Sequence, residues 1–467
     1  MPRGPSRARG SRAMIEDTLV NAAAAIQGTL IGQDGRFRGL STDTRSLEKG
    51  ALFFALQGPN FDGADFVARA AECGAAGAVV QSAGKAGLSC IRVSDTRHAL
   101  GQLAASWRRR LPVTVIGLTG SNGKTTLKSL VANCLSAVAP TFATRGNFNN
   151  DIGLPLMLSE IGPEHRFAVI EMGANHAGEI ANLTALAQPE IAVITNAGPA
   201  HLEGFGDLDG VARAKGEILA GKVRPRCAVL NADDRYFAYW QSLAADTEVV
   251  SFGFARHADV RAVDVQPQES GSTFRLQLEG GEIPVSLGLP GRHNVLHACA
   301  AAAVASKLDI ETGSIRHGLE SAVPLAGRLN PVTGLEGAIV YDDSYNANPA
   351  SVIAAAEFLV SRPGQSWLVL GDMGELGPES ERLHRQVGEA ARAAGVSHLL
   401  ATGPMSKHTV DAFGAEGTWF ESIDALVNEL RRTLTGGVNV LVKGSRSSRM
   451  ERVVRAVQVE PTSRRRA

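Results

Sequence analysis

The stretch Gly120-Ser121-Asn122-Gly123-Lys124-Thr125 has residue types and a spacing suited to holding phosphate. Two glycines let backbone N–H groups turn inward toward anionic oxygens. The lysine offers a point charge to the outer phosphates, and the threonine hydroxyl is a ligand for a hard cation such as Mg²⁺. A β-branched run, Val113 to Ile116, precedes this turn, and a helical pattern from Lys124 to about Val138 follows it. A strand, a tight glycine turn and a helix start form the usual phosphate cradle, to which the helix N-terminus adds partial positive charge. The longer pattern G-x-x-x-x-G-K-[ST] would put glycine at 118, where this chain has Leu118. The alternative reading is an ordinary glycine-rich joint between strand and helix.

Four further groups could do chemistry. Arg145-Gly-Asn147-Phe-Asn-Asn150-Asp-Ile-Gly-Leu-Pro155 is a polar turn, functional or structural. Glu171, His201 and Lys215 form a second set. Glu171 ends the strand Phe167–Glu171, and His201 follows the strand Ile191–Thr195. In open α/β sheets ligands sit at the carboxyl ends of strands, so both belong beside the glycine turn. Taken alone, His201 reads as a satisfied loop histidine, and Lys215 as the partner of Glu217 or Glu179. The third group is Tyr341-Asp-Asp-Ser-Tyr-Asn-Ala-Asn-Pro349, a strand ending in acids and amides. The fourth, Ser41-Thr42-Asp43-Thr44-Arg45, suits a pyrophosphate or a uracil edge, but composition alone favours a capped turn.

The elements that must position these groups alternate between strand and helix. At 467 residues the chain is long enough for roughly three domains of ~150 residues. We expect a first α/β unit over 14–110, with helices at 15–28 and 66–74 and strands at 51–56 and 77–80. A central doubly wound, mostly parallel sheet is expected over 111–325, with a helix over 211–219 and an alanine-rich helix over 293–307. Period-two patterning from Val260 to Leu287, interrupted by Gly280-Gly281, predicts a β-hairpin on its flank. A smaller Rossmann-like unit is expected over 326–467, with strands at 338–341, 367–370, 398–401 and 438–442. It lacks G-x-G-x-x-G, so no dinucleotide is implied.

Lysine plus arginine and aspartate plus glutamate each number 47, and this balance argues against a nucleic-acid scaffold or a membrane-surface binder. Five scattered cysteines without a C-x-x-C pair argue against structural zinc or a disulfide framework, and fit a reducing compartment. No apolar run reaches bilayer length. Residues 1–13 are basic but lack an apolar core, so they read as a disordered extension rather than a secretory signal.

The chain resembles the Mur ligase family of peptidoglycan synthesis over essentially everything after residue 14. The motifs that carry the likeness are Gly120–Thr125, Gly146-Asn-Phe-Asn-Asn-Asp-Ile-Gly153, Glu171-Met-Gly-Ala-Asn175, His201-Leu-Glu-Gly204 and Ala214-Lys-Gly-Glu217. Pro290-Gly-Arg-His-Asn294, Asp342–Pro349, Gly371-Asp-Met-Gly-Glu-Leu376 and Val442-Lys-Gly-Ser-Arg446 add to it. The family uses the shorter phosphate loop, which accounts for Leu118. It often has His where this chain has Ala64, so no contact is assigned to that loop.

The resemblance implies an ATP-dependent amide-bond ligase working through an acyl phosphate. The segment Asp342–Pro349 points to the branch that adds D-alanyl-D-alanine to a UDP-N-acetylmuramoyl-tripeptide. The D-N-P-R motif of the sister ligase that adds a single amino acid is absent, as is the Ala-His-Asn segment of folate polyglutamating relatives. A non-catalytic, nucleotide-gated binding protein is the other class considered, and intact Lys124, Glu171, His201 and Lys215 argue against it.

By resemblance, ATP is held by Thr119 to Thr126 (Thr119, Gly120, Ser121, Asn122, Gly123, Lys124, Thr125 and Thr126), by Asn294 at the adenine, by Asp343 at the ribose and by Arg328 at the phosphates. Thr125 and Glu171 serve one Mg²⁺. His201 and Lys215 serve a second, with Lys215 carbamylated to an N-carboxylysine. Ser41, Thr42, Arg45, Asn147 and Asn150 contact the UDP-linked substrate, Lys443, Ser445 and Arg446 serve the dipeptide side, and Asn346 is a further substrate-binding residue. Lys124, Glu171, His201, Lys215 and Arg328 are the expected catalytic set. We expect a cytoplasmic monomer with no nucleic-acid partner and no membrane insertion. Arg328 and Asp343 lie beyond the central unit, which predicts a hinge near 324–328 that swings the last unit onto the nucleotide.

Overall fold

The computed structural model describes residues 14–58, 60–82 and 87–459. The basic extension expected at 1–13 lies outside the described residues. Three sheets organise the rest.

The central sheet has nine strands. Six form its parallel body, in the order Thr141–Ala143, Phe167–Glu171, Thr114–Thr119, Ile191–Ile194, Cys227–Asn231 and Glu248–Gly253, and the parallel pairing continues for two residues into a seventh strand, Val260–Gln268. Their side chains alternate between two buried faces, which is why these strands read as unbroken apolar runs. Ile116, Leu118, Val169 and Val193 pack toward one core, and Val115, Ala168, Ile170 and Ile194 toward the other. The register sets Leu118 opposite Glu171 and Thr119 opposite Ile194, so the strands end level with one another at one edge.

The expected flanking hairpin is instead three strands, Val260–Gln268, Gly271–Leu278 and Gly281–Leu287, continuous with the central sheet. Only the second of its two turns carries the Gly280-Gly281 signal, and both of those glycines have positive φ. The first turn lacks such a pair, so two strands read as one.

The first unit has a five-stranded sheet in the order Thr29–Ile31, Cys90–Arg92, Gly77–Val80, Leu52–Phe54 and Leu40–Ser41. The helix expected over 15–28 is shorter. Glu16–Thr18 pairs as a strand with Arg36–Arg38, and the helix runs Leu19–Ala25. Thr18 is extended and its hydroxyl accepts from the Asn21 N–H, which fixes the helix start.

The last unit has six strands in the order Asn330–Thr333, Ile339–Asp343, Val438–Lys443, Gln365–Leu370, His398–Thr402 and Gly417–Phe420. The two outermost strands and the helix Ser406–Phe413 were not expected from the sequence, because edge strands are short and half-exposed. No helix among the described residues is long and apolar enough to cross a membrane.

The helix Lys124–Ser136 carries the phosphate-loop residues, so its seating matters most. It packs against the helices Arg292–Ser306 and Thr312–Glu320. Gly318 lies against the Cys134 backbone so closely that a Cβ would collide with it. Gly318→Ala should therefore force the two helices apart and cost ~1–3 kcal/mol. The denaturant midpoint would fall at unchanged m-value, and an unaltered midpoint would show that this contact is not tight.

Candidate functional site

A cavity of about 820 Å³ lies between the central and last units, at the carboxyl edge of the central sheet. Its walls include Asn122, Lys124, Thr125, Glu171, His201 and Arg328.

The glycine turn is pinned from the neighbouring strand end. Thr195 Oγ1 donates to the Asn122 carbonyl at 2.7 Å, and the Asn122 N–H donates to Asn196 Oδ1 at 3.0 Å. Ser121 and Gly198 exchange two hydrogen bonds. Gly120 and Gly123 have φ of +146° and +80°, where glycine is favoured. The Lys124 ammonium curls back onto the Gly120 carbonyl at 2.6 Å. Burial lowers its pKa, with Glu171 opposing.

Glu171 is buried and its carboxylate is fully engaged. Thr125 Oγ1 and Lys128 Nζ reach Oε2 at 3.1 and 3.2 Å, and Asn149 Nδ2 donates to Oε1 at 2.8 Å. Burial alone would raise its pKa. The charges of Lys128 and Lys124 and the Asn149 hydrogen bond outweigh that and hold it below the carboxylate range.

Arg328 reaches this centre from the last unit, donating from Nη2 to Thr125 Oγ1 at 2.9 Å. Its backbone is fixed by two aspartates. The Gly327 N–H donates to Asp342 and the Leu329 N–H to Asp343, and both donors have positive φ. The guanidinium lies over the Tyr345 ring, 4.3 Å from its centroid. Asn348 Nδ2 adds a 2.7 Å bond to Asn122 Oδ1. The expected swing about 324–328 thus starts from a gap that protein contacts already bridge.

His201 lines the cavity, adopts positive φ, and pairs through Nδ1 with Glu375 of the last unit. Lys215 is buried and does not line the cavity. Its ammonium lies 5.1 Å over the Phe205 ring, which also meets the His201 ring edge-on. The alternative partners of Lys215 are engaged elsewhere. Glu217 caps the backbone N–H groups of Gly178 and Ala181, and Glu179 accepts from the Asn175 N–H. Burial first, then the Lys124 charge, lowers the Lys215 pKa to about 7.

Other expected residues are placed as follows. Thr119 is fully buried and donates its hydroxyl to Met172 O. Thr126 lines the cavity. Asn294 lines it too, its amide donating to Pro290 O and its oxygen facing His297 Nδ1 at 3.3 Å. Asn147 and Asn150 line the opposite wall, and Asn150 Oδ1 caps the helix Gly153–Ser159. Asp343 and Lys443 form a 2.6 Å ion pair, and Lys443 also donates to the carbonyl of Asn346. Ser445 and Arg446 line the cavity, and Ser445 Oγ lies 3.1 Å from both Ser447 and Ser448. Ser41, Thr42 and Arg45 do not line it. Arg45 is paired with Asp43 within its own loop.

Sequence reasoning missed Lys128, Asn149, Glu375 and His297. Asn149 sat inside a quoted motif, and Lys128 lay one turn past another. Buried His297, its pKa pushed down to about 3 by burial, then by His293 and Arg328, presses Nε2 against Gly123.

Among the described residues no group of three or more His, Cys, Asp or Glu side chains gathers as a metal cluster. The donor set at Thr125 and Glu171 suits a hard cation that completes its shell with water and phosphate oxygens.

Three family profiles match: the Mur ligase family catalytic domain at 36–108, the Mur ligase middle domain at 118–305 and the Mur ligase glutamate ligase domain at 327–446. The UDP-N-acetylmuramoyl-tripeptide–D-alanyl-D-alanine ligase of Escherichia coli is 43% identical over 452 residues, covering 96% of this chain and 100% of that one. Its Haemophilus influenzae counterpart is 38% identical, covering 94% and 98%. A solved structure of MurF from Acinetobacter baumannii superposes with a TM-score of 0.89 at 36% identity, covering 95% and 99%. MurF from Thermotoga maritima in complex with ADP gives 0.81 at 27% identity, covering 90% and 96%.

Gly123→Ala should weaken binding of a non-hydrolysable ATP analogue by about tenfold or more. An L-residue at that φ is strained, and its Cβ would overlap His297 Nε2. The loss should be smaller in a His297→Ala background. Calorimetric titration checks both, and equal losses in the two backgrounds would discount the clash.

Proposed function

The chain belongs to the Mur ligase family, and from that premise we propose that it adds D-alanyl-D-alanine to UDP-N-acetylmuramoyl-tripeptide at the expense of ATP. ADP and phosphate are the other products. The observation that carries the ATP reading is the convergence of Thr125, Glu171 and Arg328, from three separate segments, beside the phosphate loop. The choice of acceptor rests on the full-length likeness to ligases of that name.

The chemistry follows from a poor leaving group. A carboxylate cannot expel oxide, so the tripeptide carboxylate attacks the γ-phosphorus of ATP and ADP departs. The resulting acyl phosphate is attacked at carbon by the dipeptide amine. Phosphate leaves with the C–O bonding pair, and the amine proton passes to solvent. Two anions must meet in the first step, and the residues around the loop supply the opposing charge. Lys124 would straighten from Gly120 O onto the β- and γ-phosphates. Arg328 would follow the charge as it moves from the carboxylate to the transferred group. The loop N–H groups and the helix start at Lys124 would fix the remaining oxygens.

Thr125 and Glu171 would hold one Mg²⁺, which when bound screens the meeting anions. His201 and Lys215 would serve a second. A protonated lysine cannot ligate a cation, whereas a buried amine that is largely neutral above about pH 7 can capture CO₂ as a carbamate. That fit supports an N-carboxylysine at Lys215.

Asn294 and Asp343 are proposed to meet the adenosine, and Asn147, Asn150, Asn346 and the Ser41–Arg45 loop the UDP-linked substrate. Lys443, Ser445 and Arg446 are proposed for the dipeptide side. We propose boundaries near 110 and 325 between the three domains. We propose that it works in the cytoplasm as a monomer.

Phosphate release should require both the muramyl tripeptide and D-alanyl-D-alanine, and should be far slower with diaminopimelate or lysine as acceptor. Lys124→Ala should lower turnover by about 10²-fold or more, since it removes a charge from the transferred phosphate. Phosphate release with either substrate left out, or near-normal turnover in the variant, would sink the reading.

With ¹³CO₂ at fixed pressure, a carbamate resonance should grow as pH rises from 6 to 8. The amine is neutral above its pKa of about 7 and protonated below it. The resonance should be absent from Lys215→Ala, and that variant should regain some turnover with small carboxylic acids. A spectrum identical in both proteins would argue against the modification.

A further inference from the structure

The helix that opens with the phosphate-loop lysine carries a second buried cation that the loop motif does not include. Thr125 and Lys128 are three residues apart, so both project from one face of the helix Lys124–Ser136. Both end on the same oxygen, Glu171 Oε2, at 3.1 and 3.2 Å. Lys128 is 5% exposed, and its only ion-pair partner among the described residues is Glu171. Asn149 holds the other carboxylate oxygen. Both oxygens of a carboxylate placed to meet a cation are therefore engaged by protein donors before any cation arrives.

The charge count points the same way. Three cations, Lys124, Lys128 and Arg328, act on the one carboxylate of Glu171, while the other carboxylates of the cavity wall, Glu179, Asp343 and Glu375, are engaged by the Asn175 N–H, Lys443 and His201. A bare divalent ion entering would meet net repulsion and an already neutralised ligand. A nucleotide brings phosphates that offset the excess positive charge and complete the ion's oxygen shell.

We propose that Lys128 is a positioning residue that makes divalent-cation binding at Glu171 contingent on nucleotide. It holds Oε2 beside Thr125 and cancels the carboxylate charge until the phosphates arrive. The metal then enters with the nucleotide rather than ahead of it. This inference rests on the ATP reading of the same site.

The test uses Mn²⁺ as probe on the full chain, titrated with and without a non-hydrolysable ATP analogue and followed by the free-ion electron spin resonance signal. The wild-type chain should bind Mn²⁺ tightly only with the analogue. Lys128→Gln keeps a hydrogen-bond donor and removes the charge, and Lys128→Met keeps only the stem. Whichever neutral variant folds should bind Mn²⁺ alone at least about tenfold more tightly than wild type. Lys128→Arg should restore the wild-type pattern, which a merely space-filling lysine would not require. Tight metal-alone binding by the wild type, or neutral variants that match it, would overturn the proposal. If the wild type failed to bind the analogue at all, the ATP reading itself would fall. If it bound the analogue while the neutral variants behaved as wild type, only the role of Lys128 would be lost.

Discussion

An excess of positive charge around one buried carboxylate is the constraint on which the site depends. Lys124, Lys128 and Arg328 act on Glu171 at the edge of the central sheet, where Glu171 and Lys128 are buried and Lys124 and Arg328 line the cavity. Such an arrangement is costly in an empty protein and is tolerated because each group has a partner. Lys124 borrows a carbonyl, Lys128 shares the carboxylate, and Arg328 lies over Tyr345 and donates to Thr125. All these partners are weaker than a polyphosphate would be. The proposed nucleotide would give this set of cations a stronger partner than any the chain supplies.

The same logic explains how the last unit is tied to the central one. Its contribution is aimed through backbone rather than through a long flexible side chain. Asp342 and Asp343 each accept from a backbone N–H on either side of Arg328, so the guanidinium is directed by two fixed peptides. Asp343 is in turn held by Lys443 from the adjacent strand. Further contacts from the last unit, Asn348 to Asn122 and Glu375 to His201, meet the glycine loop itself and the segment that follows the neighbouring strand Ile191–Ile194. The segment between 341 and 349 is rich in acids and amides because it wires the linker, the sheet and the loop together.

Much of the architecture was legible in the chain. Strands buried on both faces announce themselves as apolar runs, and the last unit's four inner strands fall close to where those runs lie. The misread elements have local causes. A three-stranded extension read as a hairpin because only one of its turns carries a glycine pair. The first helix was overextended because the sequence did not reveal that Thr18 caps it after a short paired strand. The edge strands were missed because half-exposed residues lack a clear period.

The residues alone were enough to read the glycine turn as a candidate phosphate cradle between a strand and a helix, and to put Glu171 at a strand end and His201 in the segment after one, both on the same cavity wall, since strand, turn and helix geometry is local. They could not say which side chains those groups would meet. That Lys128 shares an oxygen with Thr125, that Asn149 rather than Asn147 or Asn150 reaches Glu171, and that His297 closes over Gly123 depend on parallel register and helix packing. Those contacts join residues tens to nearly two hundred positions apart, and only the folded chain brings such distant positions within hydrogen-bonding range.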